Sequence, residues 1–435
     1  MAASGNSENA FAPPAAQRMR HLTLGRRRML AAGGLAAGAG ALSACGGNTG
    51  RGGGDGTSLV QWYHEYGEAG TQEAAVRYAE EYGGAGVSVE WIPGDYDAAI
   101  TSALLTDDAP DVFEWHLNRS MVEAGQVEPL DDILADVIDD IPEADIRRNT
   151  IDGTVYGIRM IDDPQFIVYR PSMFDAAGIA SPPTTFDELV DIAIELDSND
   201  VKGIDLGEAS GADRLGQHMI NSLGLSFIGE DRRAGFDDPR MAEGAESVRR
   251  LAESGALLLG APTEWWDPSS MVQGLTAMSW AGLWEMPVLM DELGEDIGVF
   301  PCPAFVDGTP TVYNGGWSAF VNAGGDHVEE AKAFTKWLWV DNTENILDWC
   351  LSYGFHIPSR NSLRAEADEL ASGTAAEAVA ISEEYGWADD PDWTPTMNTA
   401  VNDMLSNIVI DGNDPEDELA KAVETVNTEL DGIFG

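Results

Sequence analysis

Aromatic and acidic side chains follow two of the predicted strands. His64, Glu65 and Tyr66 come soon after a short apolar run that ends at Trp62, and Trp115 ends a second run. Ligands of open α/β sheets bind beyond the carboxyl ends of the strands, where these side chains would lie. Aromatic rings stack on apolar faces, and carboxylates accept hydrogen bonds. The loops after Trp62 and Trp115 are therefore candidate positions for ligand contacts.

Motifs of covalent or metal-dependent catalysis are missing from the sequence. It contains no Gly-x-Ser-x-Gly, His-Glu-x-x-His, Walker or dinucleotide-binding motif. Its six histidines are scattered without the spacing of metal ligands. Two carboxylates about 5 to 9 Å apart could still hydrolyse a glycoside. We therefore expect no enzyme, no cofactor and no metal, with a surface glycoside hydrolase as the less favoured alternative.

The chain is strongly acidic. Its 435 residues include 24 lysines and arginines against 75 acids, a formal net charge of −51, and only four of the cations are lysines. Such a charge argues against nucleic acid as a partner. Hydrophobic residues make up 44%, enough for a packed core, and the length suggests two or three domains. Because self-repulsion of this size is screened near 1 M salt, we expect a protein adapted to concentrated salt.

Residues 1–45 have the layout of an export signal. Arg26, Arg27 and Arg28 precede an uncharged run, 29–44, that is shorter than the roughly 20 residues needed to span a bilayer. The arginines followed by a run of Ala, Gly and Leu are similar to a twin-arginine signal, which exports folded proteins. We therefore expect this segment to be removed from the mature protein.

The end of that run predicts a lipid anchor. Leu42, Ser43, Ala44 and Cys45 resemble the lipobox of bacterial or archaeal lipoproteins, whose cysteine becomes the lipidated first residue. Residues 46–56 would then be a Gly-rich flexible tether. This arrangement places the protein at the cell surface, on the outer face of the cytoplasmic membrane. The alternative is an unmodified cysteine in a secreted protein.

Two further cysteines, Cys302 and Cys350, complete the thiol inventory. They could form a disulfide if their Cα atoms lie within about 7 Å, or remain as two buried thiols. Both alternatives stay open at this point.

Strand and helix patterns alternate along the mature chain, which predicts an α/β fold with a parallel sheet covered by helices. Thr185 and Glu188 form a predicted capping box ahead of an amphipathic helix. The middle third, 213–255, has a helical pattern throughout. The other predicted elements are strands at 57–62, 87–92, 111–115, 165–169, 277–280, 297–301 and 317–322, and helices at 71–82, 96–105, 171–178, 185–196, 287–293 and 328–340.

Ordered blocks over nearly all of 57–435 resemble the extracellular solute-binding proteins of ABC importers, in the family that binds sugars and maltooligosaccharides. An Ala-Pro-Asp block precedes a strand that ends at Trp115, and a Pro-Pro-Thr-Thr-Phe-Asp-Glu-Leu block covers 182–189. A strand followed by Trp284 and a glycine pair followed by Trp317 match later blocks. Each block alone is weak, but their order is specific.

The resemblance implies a two-lobe α/β fold of the type II periplasmic-binding-protein kind, with the ligand in the cleft between the lobes. Three interlobe crossings would lie near Asp162–Gln165, Val312–Gly315 and Tyr353–Ile357. Closure of the lobes around a hinge would report occupancy to the membrane partner. The implied lobes are 57–162 with 316–352, and 166–311 with 357–435.

The resemblance also implies the ligand and partners. The solute would be a sugar or oligosaccharide, delivered to ABC permease subunits with a cytoplasmic ATPase by a monomeric, membrane-anchored protein. Trp284 is the strongest single candidate for stacking on a sugar ring, and Asp163 lies at a crossing. The implied ligand-binding residues are His64, Glu65, Tyr66, Trp115, Asn118, Asp163, Trp284 and Trp317.

Structural roles compete with these assignments. Trp337, Trp339 and Trp349 share a helical segment and are expected to pack in a core, and Trp62 is expected in the sheet core. Trp265 and Trp266 could line the cleft or cover an apolar edge. Glu65 and Asp163 are equally well explained as solvated acids.

A different solute is the second hypothesis. An acidic cleft with aromatic walls would suit a polyamine through cation–π contacts, so a polyamine or other non-sugar solute is the alternative. Arg360 is expected to pair with a carboxylate as a structural residue. The scarcity of free basic side chains argues against a phosphate or sulfate ligand.

Overall fold

Two mixed sheets organise the chain in this computed structural model, which describes residues 56–207, 211–212, 214–259 and 267–435. The described residues belong to one unit of contacts, Gly50–Gly435, and the other unit, Met1–Thr49, lies outside them, as do Cys45, Trp265 and Trp266. The strands in the described part are β1 (Ser58–His64), β2 (Gly86–Ile92), β3 (Val112–Trp115), β4 (Thr150–Ile151), β5 (Thr154–Val155), β6 (Ile158–Arg159), β7 (Ile161–Tyr169), β8 (Lys202–Asp205), β9 (Thr276–Gly282), β10 (Gly298–Phe300), β11 (Val312–Gly315), β12 (Ser318–Val321), β13 (Ile357–Pro358) and β14 (Gly386–Trp387).

The first sheet has the strand order β2-β1-β3-β12-β6. β1 runs parallel to β2 and β3, as the alternating pattern predicts. β12 is antiparallel to both β3 and β6, so the expectation of an entirely parallel sheet is wrong for this edge. The reason is topological, because β12 comes from a distant part of the chain that returns from the second sheet rather than from a helical crossover.

The second sheet has the order β14-β11-β7-β9-β8, with β10 and β13 also pairing with β7. β7 is its nine-residue central strand and pairs antiparallel with β9, β10, β11 and β13. β8 lies parallel to β9. A short hairpin of β4 and β5 stands apart from both sheets.

Helices cover both sheets. α7 begins with the predicted capping box, in which Thr185 accepts from the Glu188 N–H and the Glu188 carboxylate accepts from the Thr185 N–H. The helices in the described part are α1 (Thr71–Glu81), α2 (Tyr96–Ala103), α3 (Arg119–Glu123), α4 (Asp131–Leu134), α5 (Glu143–Arg148), α6 (Pro171–Ala177), α7 (Phe186–Leu196), α8 (Leu215–Ser222), α9 (Pro239–Ser254), α10 (Ser269–Val272), α11 (Met286–Leu293), α12 (Val328–Lys336), α13 (Thr343–Leu351), α14 (Asn361–Arg364), α15 (Gly373–Tyr385), α16 (Pro395–Val409) and α17 (Pro415–Phe434).

The predicted continuous helical segment over 213–255 is wrong in its middle. α8 ends at Ser222, and α9 begins only at Pro239. Gly224 follows with a φ of 67°, a left-handed conformation that ends a helix, and Asp238 caps α9 by accepting from the Arg240 N–H. The apolar residues between the two helices pack individually against the core and do not form a helical face.

Each sheet has its own core. Trp349 and Phe334 are fully buried in the core of the first sheet, and Trp280 and Phe186 are fully buried in the core of the second. The predicted packing role of Trp349 is therefore confirmed, and Trp339 lies in the same core. Trp62 and Trp337 are partly buried against the cores of the first sheet. Cys302 and Cys350 are both buried and free.

Three strands meet where the two sheets join. β7 begins at Ile161, which packs in the core of the first sheet, whereas Ile167 in the same strand packs in the core of the second. β13 and β11 pair with the first half of β7. β7, β11 and β13 therefore lie side by side at the junction.

Buried arginines fix the backbone at this junction. Arg148 donates to the carbonyl of Asn314 (2.8 Å), and Arg159 donates to the carbonyl of Gly316 (2.7 Å). Gly316 has a φ of 107°, and a Cβ there would lie 2.3 Å from the carbonyl oxygen of Ile161. Only glycine fits this position, because both the conformation and the space exclude a side chain.

No helix in the described part of the chain is long and apolar enough to cross a membrane.

Candidate functional site

Four aromatic residues at or beside the ends of β1, β3 and β12, together with Tyr96 at the start of α2, form a connected set of ring contacts. The imidazole of His64 lies 3.9 Å from the Tyr66 ring and stacks on the Trp317 indole at 4.2 Å, measured between centroids. His116 stacks on Trp317 at 4.8 Å, and Tyr96 meets the same indole edge-on at 5.9 Å. We call these five residues the ring cluster. Three of them, His64, Tyr66 and Trp317, are sequence-predicted site residues, and the structure brings them together.

A buried carboxylate lies behind the ring cluster. Glu114, only 1% exposed, accepts from His64 Nδ1 (2.5 Å) and from the Tyr66 hydroxyl (2.7 Å). Its carbonyl oxygen accepts from the Tyr96 hydroxyl (2.8 Å). Burial, together with the charge of Glu114, raises the pKa of both tyrosines well above the ordinary value, so each hydroxyl keeps its proton and donates.

The side chain of Trp115 points its polar edge at a carboxylate. The indole Nε1 donates to Asp97 Oδ1 at 3.0 Å, and the ring is partly buried near Trp317. Asn118 is the N-cap of α3, where its Oδ1 accepts from the Met121 N–H at 3.2 Å. Asn118 thus has a structural role that its position in the sequence did not reveal. Glu65 is exposed.

Asp163 lies in β7 and forms an ion pair. Its Oδ1 is 2.5 Å from Nδ1 of His356, and the other ring nitrogen of that histidine is 3.3 Å from a Glu68 oxygen. Burial lowers the pKa of His356, but the two carboxylates outweigh this effect and hold the pKa at about 10. The histidine is therefore charged at neutral pH, and Asp163 is one of its two counter-ions.

Trp284 belongs to the second sheet, directly after β9. Its indole lies so close over Gly282 that a Cβ there would be 2.0 Å from two of the ring carbons. The backbone N–H of Gly282 donates to the buried Glu285 carboxyl at 2.9 Å, and burial raises the pKa of that carboxyl well above its ordinary value. Because residue 282 has no side chain, the Trp284 ring can pack against the backbone at this position.

A second aromatic group lies on the second sheet near the ring cluster. Tyr313 of β11 donates to Asp389 and contacts the Trp387 ring at 4.8 Å. Burial lowers the pKa of His116, whereas the charge of Asp389 acts in the opposite direction. The charge of Asp389, which accepts from Tyr313, therefore acts on His116 in the ring cluster.

Sequence reasoning missed Glu114, His116, Tyr313 and Trp387. Glu114 offered a signal, because it is a charged residue inside the apolar strand Val112–Trp115. A buried acid in such a strand needs hydrogen-bond partners. His116 also offered a signal, because it directly follows that strand. Tyr313 and Trp387 meet residues from segments far apart in the chain, which the sequence does not reveal.

Residues 58–339 match the family described as bacterial extracellular solute-binding protein. That range is well over half of the chain. The protein belongs to this family. Members of this family are extracellular, in agreement with the location that the export signal predicts.

One relative in this solute-binding family is the diacetylchitobiose binding protein DasA of Streptomyces coelicolor. It is 26% identical over 336 residues, which cover 69% of this chain and 74% of DasA. The similarity spans most of both chains, so it concerns the whole binding protein rather than one motif.

Solved structures of solute-binding proteins share the fold. A protein from Thermotoga lettingae bound to alpha-D-tagatose has a TM-score of 0.73 at 21% identity, covering 86% of this chain and 99% of its own. UgpB from Mycobacterium tuberculosis, in complex with glycerophosphocholine, has a TM-score of 0.74 at 17% identity, covering 87% and 100%. MalE of Xanthomonas citri has a TM-score of 0.70 at 16% identity, covering 87% and 98%. The predicted two-lobe, type II fold is confirmed.

Among the described residues, no three His, Cys, Asp or Glu side chains are grouped so that they could hold a metal ion.

Proposed function

We propose that this solute-binding protein captures a sugar or oligosaccharide outside the cell and delivers it to an ABC permease with a cytoplasmic ATPase. The observation that carries the proposal is the ring cluster with the buried Glu114 behind it. Sugars present apolar C–H faces ringed by hydroxyls, so they need flat rings together with fixed hydrogen-bonding groups. The name of DasA and the sugar complexes of the solved relatives support the same ligand class.

The proposed site lies between the two sheets. His64, Tyr66 and Trp317 would form one wall with Trp115, and Trp284 would form the other. The full proposed set also includes Glu65, Asn118 and Asp163, the last two with structural roles besides. Lobes 57–162 with 316–352 and 166–311 with 357–435 would close around the ligand, because a ligand that contacts both favours the closed state.

We further propose that the mature protein is a lipoprotein monomer without catalytic activity. Cleavage ahead of Cys45 and lipidation of its thiol would anchor the protein to the outer face of the cytoplasmic membrane. A Cys45→Ala variant would then appear in the medium instead of the membrane fraction. Unchanged membrane association of the variant would contradict the anchor. Incubation with candidate glycans should release no product.

The ligand is tested by a thermal-shift screen of the mature protein in about 2 M KCl. Mono- and oligosaccharides, with diacetylchitobiose among them, are compared with polyamines. A ligand at 100 times its Kd stabilises by about 2.7 kcal/mol, which such a screen detects. A shift with one sugar class supports the proposal. Shifts with polyamines alone would replace the sugar by the alternative solute.

The screen is repeated with Trp284→Ala and with Trp337→Ala as a matched control. Trp337 directly follows α12 and packs on Tyr82 and Phe334. The ligand-induced shift should disappear in Trp284→Ala and persist in Trp337→Ala, whatever the stability of the unliganded variants.

A further inference from the structure

Glu114 occupies an unusual place for an acid. It lies in β3 between Phe113 and Trp115, pairs with Ala319 of β12, and is 1% exposed. An ionised carboxylate in such a place is costly unless its oxygens are hydrogen-bonded. The hydrogen-bond partners of Glu114 therefore indicate its role.

Within the described part of the chain, the hydrogen bonds of the Glu114 side chain lead to the ring cluster. Oε1 accepts both the backbone N–H (2.7 Å) and the ring Nδ1 (2.5 Å) of His64, and Oε2 accepts the hydroxyl of Tyr66 (2.7 Å). The backbone of Glu114 accepts from Tyr96. One residue thus fixes three of the five rings, and two of those three contact the Trp317 indole.

The contact with His64 also determines which atom holds the hydrogen between His64 Nδ1 and Glu114 Oε1. A carboxylate that accepts on both oxygens has no proton to give, so Nδ1 carries the hydrogen. The His64 side chain is 21% exposed, so the ring remains within reach of a ligand.

We propose that Glu114 is a positioning residue that holds His64 flat against Trp317 with Nδ1 protonated and Nε2 presented to a hydroxyl of the bound sugar. The inference rests on the proposed function and deepens it. Glu114 itself does not touch the ligand. It makes one wall of the site rigid before the ligand arrives, which lowers the entropic cost of binding.

The first arm of the test needs no ligand. Histidine ¹⁵N NMR of the folded mature protein, with His64 assigned through a His64→Asn variant, should show Nδ1 protonated and hydrogen-bonded. Glu114→Ala should lose this signature. Glu114→Gln should keep it, because an amide oxygen can still accept from Nδ1 and the amide N–H can donate to the Tyr66 oxygen.

Glu123→Ala is the matched control, since Glu123 is an exposed acid on the neighbouring α3. It should leave the His64 spectrum unchanged. A His64 spectrum that is the same in Glu114→Ala as in the wild type would overturn the proposal.

The second arm measures affinity by calorimetry, with diacetylchitobiose as the first probe and the sugar that gives the thermal shift as the second. Glu114→Ala should bind at least about tenfold more weakly, and Glu114→Gln should stay within about threefold of the wild type. A stability loss with unchanged affinity would reduce Glu114 to a structural role and overturn the proposal. If Glu114→Ala does not fold, the comparison of Glu114→Gln with His64→Asn decides, since only the second should lose affinity.

The two arms distinguish the positioning role of Glu114 from the proposed sugar-binding function on which it rests. A lost His64 signature in Glu114→Ala together with no binding of any sugar by the wild type would refute the sugar assignment and, with it, the hydroxyl contact. A sugar that binds equally well to all Glu114 variants would leave the proposed function intact and refute the positioning role alone.

Discussion

At residue 282, a missing side chain makes room for the Trp284 ring. Gly282 has an extended backbone, with φ −117° and ψ 165°, which alanine adopts without strain. Its Cβ, however, would meet ring carbons of Trp284 at 2.0 Å. A substitution here therefore moves the ring and leaves the strand in place.

We expect Gly282→Ala to weaken sugar binding by at least about tenfold with only a small change in stability. Gly83→Ala is the control, because a Cβ there meets nothing within 4 Å. Calorimetric titration of both variants with the same sugar checks the prediction. Equal affinities of Gly282→Ala and the wild type would show that the position of the Trp284 ring does not affect binding.

The ion pairs of His356 stabilise the folded protein, and this stabilisation is lost at alkaline pH. Its pKa rises from the ordinary 6.5 to about 10 in the folded protein, because Asp163 and Glu68 outweigh the effect of burial. A raised pKa contributes stability that is complete below pH 6.5 and lost as the pH rises through 10.

We therefore expect the free energy of unfolding to fall between about pH 6.5 and pH 10 by a few kcal/mol, on the order of 1.4 kcal/mol per unit of pKa difference. Urea titrations at several pH values measure this fall. His356→Gln should show a flatter profile over the same window, and the difference between the two curves isolates the histidine from other groups. Parallel curves would contradict the role of the ion pairs.

At the scale of elements, α3 joins the ends of the two sheets. Arg119, its first residue, donates its backbone N–H to the carbonyl of Pro391 (3.0 Å) and its Nε to Asp392 (2.6 Å). Both partners follow β14 of the second sheet. A further pair of hydrogen bonds reaches Asp152 in the β4–β5 turn. The Arg119 side chain is only 12% exposed, so solvent weakens these bonds less than at the surface.

We expect Arg119→Gln to speed ligand dissociation by about three- to tenfold, because the variant loses its side-chain contact with Asp392 in the segment after β14. Arg240→Gln is the matched control, since Arg240 also pairs with two carboxylates, Asp238 and Asp307, but within the second-sheet half of the chain. Stopped-flow displacement gives both dissociation rates. Equal rates in the two variants would refute the bridging role of α3.

Elements with strong local signals were predictable from the sequence. The strand over 111–115, the helix over 71–82 and the capping box at Thr185 are all found, because β-branched runs, helical spacing and caps act over a few residues. The gap between α8 and α9 was missed, since the apolar residues there mimic a helical face.

The candidate site was predictable only in part. His64, Tyr66 and Trp317 were identified from strand ends and the family resemblance. Glu114 was not, because its role depends on partners that lie 18 to 50 residues away in the sequence. Spacing along a strand places a side chain on one face of a sheet but does not say which distant groups meet it there.

For the whole molecule, the net charge of −51 dominates the dependence on salt. Among the described residues, most cations form ion pairs, for instance Arg250 with Asp187 and Asp191, and Lys332 with Asp132. The excess carboxylates repel one another, and added salt screens that repulsion.

We expect the urea midpoint of unfolding to rise as KCl increases from about 0.1 M to 2 M, where the Debye length falls below 3 Å. Sucrose, which is excluded from protein surfaces but carries no charge, is the control for a general solute effect. A midpoint that rises with sucrose but not with KCl would contradict an electrostatic origin.

The place of β12 in the first sheet constrains how the chain can be made. β12 lies between β3 and β6, which precede it by more than 150 residues. While the ribosome is still adding the residues of the second sheet, β3 and β6 have no strand to join them, and the first core lacks Phe334 and Trp349. Neither sheet is complete until its late strands, β12 and β14, have been synthesised. Folding must therefore wait for nearly the whole chain. Loop closure over such distances is slow. An export route that carries only folded cargo would therefore act after translation has ended.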